Sequence, residues 1–202
     1  QLVISTATLS NQESANIVNA GTGNVTITSQ TLSNAAQAQI VSQSNLAITN
    51  QGALSNQGSI SASDININSA SLNNQGLLAS QTGNIALTII QTLINSDNGV
   101  IYANNAATLN SQTLNNSGTI AANNGALSVN TQALVNSGAL QQANNNLFTL
   151  FARELSNQAE GVIYSQGNLT IEGDNIINAG VIDAENAITL TSESLTNQGQ
   201  LS

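Results

Sequence analysis

The carboxylates are the residues of this chain best placed by type and spacing to do chemistry. Seven of the ten acidic residues fall between Glu154 and Glu193, and Glu172/Asp174 and Asp183/Glu185 each stand two apart. Residues two apart on an extended strand point the same way, so either pair could serve a glycosidase as acid and nucleophile or base. The other equipment of polysaccharide cleavage is missing: there is no His and no Lys, Arg153 is the only cation, and aromatics make up 2% of the chain. A carbohydrate-active enzyme is therefore the alternative reading, and acids that keep a polar surface soluble are the preferred one. Asp174 and Glu193 hold equivalent places in successive repeats and carry the oxygen ligands that calcium takes. The glycine-rich calcium nonapeptide of other solenoids is absent, and neither a cofactor nor a metal is expected.

The Thr-x-Thr pairs Thr26/Thr28 and Thr189/Thr191 suggest an ice-binding array, but Asn68, Asn110, Asn130, Phe151 and Glu172 interrupt the column. Asn24, Asn115 and Asn168 open Asn-x-Ser/Thr sequons, as chance produces in so Asn- and Thr-rich a chain.

Composition narrows the class further. A net charge of -9 opposes phosphate contacts, which excludes nucleic acid as a partner. Cys is absent, so disulfides and thiolate metal sites are excluded. No apolar run reaches membrane-spanning length, and any export signal is expected outside this stretch. Charged residues are only 5% against about a quarter in ordinary domains, a bias that polar disordered chains share. Disorder is rejected because Leu, Ile and Val recur at fixed intervals.

The elements that must position all of these residues follow from that recurrence. An aliphatic-x-Asn tripeptide occurs ten times, with anchors Asn11, Asn34, Asn56, Asn74, Asn95, Asn116, Asn136, Asn157, Asn178 and Asn197, spaced 18 to 23 residues apart. A single aliphatic follows each anchor by four or six residues, as Ile60 follows Asn56 and Ile101 follows Asn95. An alternating inward pair comes next, such as Val25/Ile27 or Leu169/Ile171. Three segments of period two per unit are strand signals with one face inward.

The predicted fold is all-β: a right-handed parallel β-helix, or β-solenoid, of about ten coils of about 20 residues with three short strands per coil. Residues 1–202 are expected to form one continuous segment, internal to a longer repeat array. The anchor asparagines are expected to stack as a structural ladder, each amide bonding its neighbour and the corner backbone. Gly58, Gly76, Gly118, Gly138, Gly180 and Gly199 stand two residues after an anchor, where a tight corner calls for positive φ. A leucine-rich repeat is the rival of similar period, but its Leu-x-x-Leu-x-Leu-x-x-Asn spacing and helix-forming Lys, Glu and Arg are lacking. A propeller would lack its Trp-Asp signature.

Segments such as Leu54-Ser-Asn-Gln-Gly-Ser-Ile60, Leu114-Asn-Asn-Ser-Gly-Thr-Ile120 and Ile176-Ile-Asn-Ala-Gly-Val-Ile182 resemble the filamentous haemagglutinin repeats of two-partner-secreted bacterial exoproteins. That family includes haemagglutinin-type adhesins and contact-dependent growth inhibition effectors, and the resemblance spans essentially the whole chain. It implies a secreted, non-enzymatic virulence filament on the bacterial cell surface, exported by an outer-membrane transporter, that projects an adhesin or toxin-delivery region toward a target cell. The family's secretion domain carries Asn-Pro motifs; this chain has no proline, so the resemblance places it in the central shaft. Neighbouring repeats of the same polypeptide are then its first partners.

One coil departs from the pattern and is where a target-cell receptor or glycan would bind if the shaft itself binds one. With Phe148 and Leu150 inward, Leu147 and Phe151 turn outward. Phe151 is the only apolar residue in its column, and Arg153 lies two residues on. Tyr102 and Tyr164 share a different outward column, three coils apart. Aromatic and Arg side chains are the common anchors of interfaces, but tucking of Phe151 under a neighbouring corner is the preferred, purely structural account.

Overall fold

The computed structural model describes residues 1–202, and they contain strands and corners without helix. The chain is a β-solenoid of ten coils, numbered here by their anchors from Asn11 in coil 1 to Asn197 in coil 10. Each coil supplies a long strand of ten or eleven residues that ends on the anchor, such as Val25–Asn34, and a short strand of four, such as Gln39–Ser42. Coil 10 ends on the two-residue strand Gln200–Leu201. The long strands form one parallel ten-stranded sheet in coil order, and the short strands form a second. At about 4.8 Å per step, nine intervals make a rod roughly 43 Å long.

The three expected strands per coil are two, because hydrogen bonding runs through the corner between the alternating pair and the anchor. In Val25–Asn34 the buried positions are Val25, Ile27 and Ser29, then Leu32 and Asn34, with Gln30 and Thr31 both exposed between them. That single step of three bends the strand while both arms keep their apolar side inward. Coils 3 and 5 put one extra residue in the bend, and the register slips there and recovers before the anchor.

Register places like on like. Val25 pairs with Leu46, Leu32 with Leu54 and Asn34 with Asn56, and the same three columns continue through the rod. The inward aliphatics make one cluster of 37 buried residues. Burying aliphatic side chains contributes about 1.5–3 kcal/mol each, which is how strands of four residues persist. Corners join the ladder too: Ser59 N–H donates to Ala38 O at 2.9 Å and Asn123 N–H to Ala103 O at 3.0 Å.

The corner glycines are explained by crowding rather than by φ, since no glycine has positive φ. A Cβ on Gly138 would lie 2.1 Å from the carbonyl oxygen of Gly118, and one on Gly199 2.0 Å from that of Gly180. Successive two-residue corners stack so closely that the carbonyl of one coil occupies the place of the next coil's side chain. The left-handed conformation appears instead at Ser14 and Gln37, both φ 62°, in the four-residue corners of coils 1 and 2.

Candidate functional site

The anchor column is the most continuous polar feature. Each Asn Nδ2 donates to Oδ1 of the next anchor, nine bonds in succession from Asn11 to Asn197, all at 2.8 to 2.9 Å. The same Nδ2 donates to the carbonyl that opens the next coil's short strand, as Asn116 does to Ala139 O at 3.1 Å and Asn157 to Val181 O at 3.0 Å. Anchors 11 to 178 are buried, eight of them at 2% exposure or less. Every amide points the same way along the axis, and this column is filled by its own members.

A second buried polar column lies at the bend, where sequence reasoning saw nothing. Ser29 Oγ donates to Asn50 Oδ1 at 2.9 Å, and Asn50 Nδ2 donates to Ser69 Oγ at 3.1 Å. Ile89 interrupts it, Ser111 and Thr131 resume it with Ser111 Oγ donating to Thr131 Oγ1 at 3.3 Å, and Ala152 interrupts it again. The signal was present: these residues follow the inward pair by two, so strand alternation already turned them inside.

The acidic pairs stay on the surface. Glu172 lies outward beside Phe151 in register, and Asp174 occupies the bend level with Glu193, between the pairs Gly173/Ser192 and Asn175/Ser194. No three acidic side chains converge as a metal site would require. Asp183 stands in register with Tyr164, whose hydroxyl donates to Glu185 Oε1 at 2.5 Å. That hydrogen bond, then desolvation, then the charges of Glu185 and Asp183 raise the Tyr164 pKa above the ordinary phenol value.

Four of the five candidate contact residues divide between the two sheets, and Leu147 lies in a corner. Phe151 is 38% exposed on the long strand of coil 8, in register with Asn130 and Glu172. It closes one end of an open groove of about 450 Å³, between an outward row of Thr88, Asn110 and Asn130 and a second row of Ile90, Gln112 and Gln132. A further depression of about 290 Å³ shares Thr88 and Ile90 and extends toward coil 3. Arg153, exposed at the bend, follows Gln132 by one coil. Tyr102 and Tyr164 do share a column, but on the short-strand sheet, so they are not part of the groove.

Leu147 is 45% exposed in the corner before Phe148, and Gln142 explains its position. Elsewhere the first amide of a long strand donates to a corner carbonyl one coil on, as Val25 N–H does to Asn45 O at 2.9 Å. The longer corner of coil 7 breaks this pairing, and Leu127 N–H donates instead to the fully buried Gln142 Oε1 at 2.7 Å. Gln142 Nε2 in turn reaches Asn146 O, so one side chain satisfies a corner that has moved away and carries Leu147 outward.

Taken with its geometry, the chain is a β-solenoid with a continuous amide ladder, and its surface depressions are open rather than enclosed. Compared with protein-family models, curated proteins and solved structures, it has no significant match.

Proposed function

We propose that this chain is a stretch of shaft in a secreted bacterial cell-surface exoprotein like the filamentous haemagglutinins, holding an adhesin or toxin-delivery region away from the cell. The observation that carries the reading is coil equivalence. Ten coils keep the same inward columns, and one amide ladder runs through all of them without interruption, as a spacer of fixed length requires. Repeats of this kind have nearest-neighbour energetics, so coils can be removed without loss of the remainder.

The test follows from that property. Removing residues 75–136 joins Asn74 to Ser137 at matching corners and takes out three coils. Labels near the two ends should approach by about 14 Å, with the β-sheet circular dichroism of the remainder kept. Loss of the fold, or an unchanged distance, would refute the spacer reading.

Adhesive contact with a target-cell receptor or glycan is assigned to the groove that ends at Phe151. Apart from Ile90, its two rows are neutral amides and hydroxyls that offer donors and acceptors, and Phe151 offers a face for stacking. Phe151→Ser should abolish cell attachment while the protein stays folded. Attachment that survives it would remove the groove from consideration.

A further inference from the structure

Asparagine amides are chemically labile, and a following glycine leaves the neighbouring nitrogen free to approach the amide carbon, since no side chain stands in the way. The chain has two Asn-Gly pairs, Asn98-Gly99 and Asn124-Gly125. Stacking itself requires the first of these glycines: a Cβ on Gly99 would lie 2.4 Å from Asn74 O and 2.5 Å from Asn95 Oδ1. The anchors are held out of reaction. Asn116 has both Oδ1 and Nδ2 engaged in the ladder, and the nitrogen that follows it, Ser117 N–H, donates to Asn95 O at 2.8 Å. Asn124 is tied to the preceding coil in the same manner. Its backbone N–H and its Nδ2 donate to Asn104 O at 3.1 and 2.9 Å, and Gly125 N–H donates to Asn105 O at 3.1 Å. Asn98 differs on each count. It is exposed, its side chain makes no hydrogen bond, and neither Asp97 nor Asn98 gives its N–H to another coil. Gly99 N–H is held only within the corner, by Ser96 O at 2.7 Å. Local opening costs least where backbone is exposed and free of such cross-coil bonds.

We infer that Asn98 is a site of spontaneous covalent modification, with water as the only co-reactant. Gly99 N attacks Asn98 Cγ. The N–Cγ bond forms, the Cγ–Nδ2 bond breaks, and Nδ2 leaves as ammonia with the proton from Gly99 N–H, closing a succinimide ring. Water then opens the ring. Attack at Cγ leaves aspartate, and attack at the main-chain carbonyl carbon leaves an isoaspartyl link in which the chain runs through Cβ and Cγ. By either route an amide and a water become a carboxylic acid and ammonia, and one negative charge is added to the native -9. The new carboxylate stands beside Asp97 at the edge of an open depression that also takes in Gln57 and Gln75. The isoaspartyl link lengthens the main chain at a corner whose length already differs by two residues between coils, as loops between repeats tolerate. The other four-residue corners carry Ser14, Gln37 and Glu160 in the place of Asn98, so this chemistry belongs to coil 5 alone among them.

Incubation of the intact folded chain in mildly alkaline buffer, followed by peptide mass mapping, should show Asn98 converting first. Asn124 should convert at least about tenfold more slowly, because its cross-coil hydrogen bonds must open beforehand, and the anchors should stay unmodified. In urea, where the fold is lost, the two Asn-Gly pairs should convert at comparable rates. Water enriched in heavy oxygen should leave one labelled atom at residue 98. Asn98→Gln should abolish the early gain of negative charge with circular dichroism and melting midpoint kept, since Gln37 already occupies the equivalent place in coil 2. Conversion of Asn124 or of any anchor as fast as Asn98 in the folded chain overturns the assignment. So does an Asn98 that stays unmodified in the folded chain, whatever happens in urea.

Discussion

Replacing Asn116 with alanine removes one rung from the middle of the ladder. In the native chain Asn116 Oδ1 accepts from Asn95 Nδ2 at 2.9 Å, and its Nδ2 donates to Asn136 Oδ1 at 2.8 Å and to Ala139 O at 3.1 Å. The two neighbours suffer unequally. Asn95 Nδ2 keeps Gly99 O and Thr119 O as acceptors, both at 3.1 Å, whereas Asn136 Oδ1, fully buried, is left without a donor. One buried acceptor without a partner costs about 1–3 kcal/mol, and the other lost hydrogen bonds about 0.5–1.5 kcal/mol each. The expected destabilisation is therefore about 2–6 kcal/mol. Asn123→Ala is the control: its Nδ2 makes one long contact, 3.4 Å to Asn104 Oδ1, in a half-buried corner, and should cost under about 1 kcal/mol. Asn116→Asp sharpens the test, because a carboxylate still accepts from Asn95 but sets two acceptors against each other at Asn136. It should be at least as destabilising as alanine at neutral pH and partly recover when acid protonates it. Urea unfolding followed by circular dichroism measures all three, and equal midpoints for Asn116→Ala and Asn123→Ala would refute the ladder's role in stability.

Gly138→Ala should destabilise by at least about 1–3 kcal/mol through overpacking, because its Cβ would meet the Gly118 carbonyl oxygen at 2.1 Å. Gly21→Ala, whose nearest neighbour is a side-chain oxygen at 3.7 Å, should be neutral in the same melts. Gln142→Leu keeps the volume but strands the Leu127 amide, so about 1–3 kcal/mol should be lost, with amide exchange at Leu127 accelerated beyond that of Leu109. In a Tyr102→Phe background, phenolate absorbance should titrate above the ordinary tyrosine range and shift down in Glu185→Gln. The stabilising Tyr164–Glu185 bond is present below the unfolded-state phenol pKa and is lost as pH rises through the raised folded value.

The solenoid was legible because its period-two patches repeat in register. Leu114 and Asn116 alone are unremarkable, and ten such pairs about 21 residues apart have few folds open to them. Outward columns were legible for the same reason: the row of Phe151, Asn130 and Glu172 follows from counting coils. The bend was not, because a step of three between Ser29 and Leu32 looks like a short loop until hydrogen bonds are seen to cross it. The role of Gly138 was misjudged since φ is a property of one residue and crowding a property of two coils. Gln142 was silent because its partner, Leu127, precedes it by 15 residues and belongs to another strand.

The unusual composition follows from in-register stacking itself. Every column sets a residue on its own counterpart about 4.8 Å away, so each side chain must tolerate its own kind on both sides. Aliphatics do, and hydroxyls and amides do so better, because each is both donor and acceptor. Charges do not: like charges at that spacing repel by about 1 kcal/mol even in water, and more at a protein surface. A column of lysines or glutamates would add that penalty at every step, which accounts for a chain with 5% charged residues in which Asp174 beside Glu193 is the one acidic pair stacked on successive coils. Proline fails for a different reason: the corners as well as the strands pass N–H bonds from coil to coil, and proline has none to give. Asparagine is short enough to sit inside a corner, and its two amide protons reach both the next side chain and the next backbone. Glutamine could form the same side-chain ladder but its extra methylene has no room there. It appears as a buried residue only at Gln142, where a longer corner leaves the space.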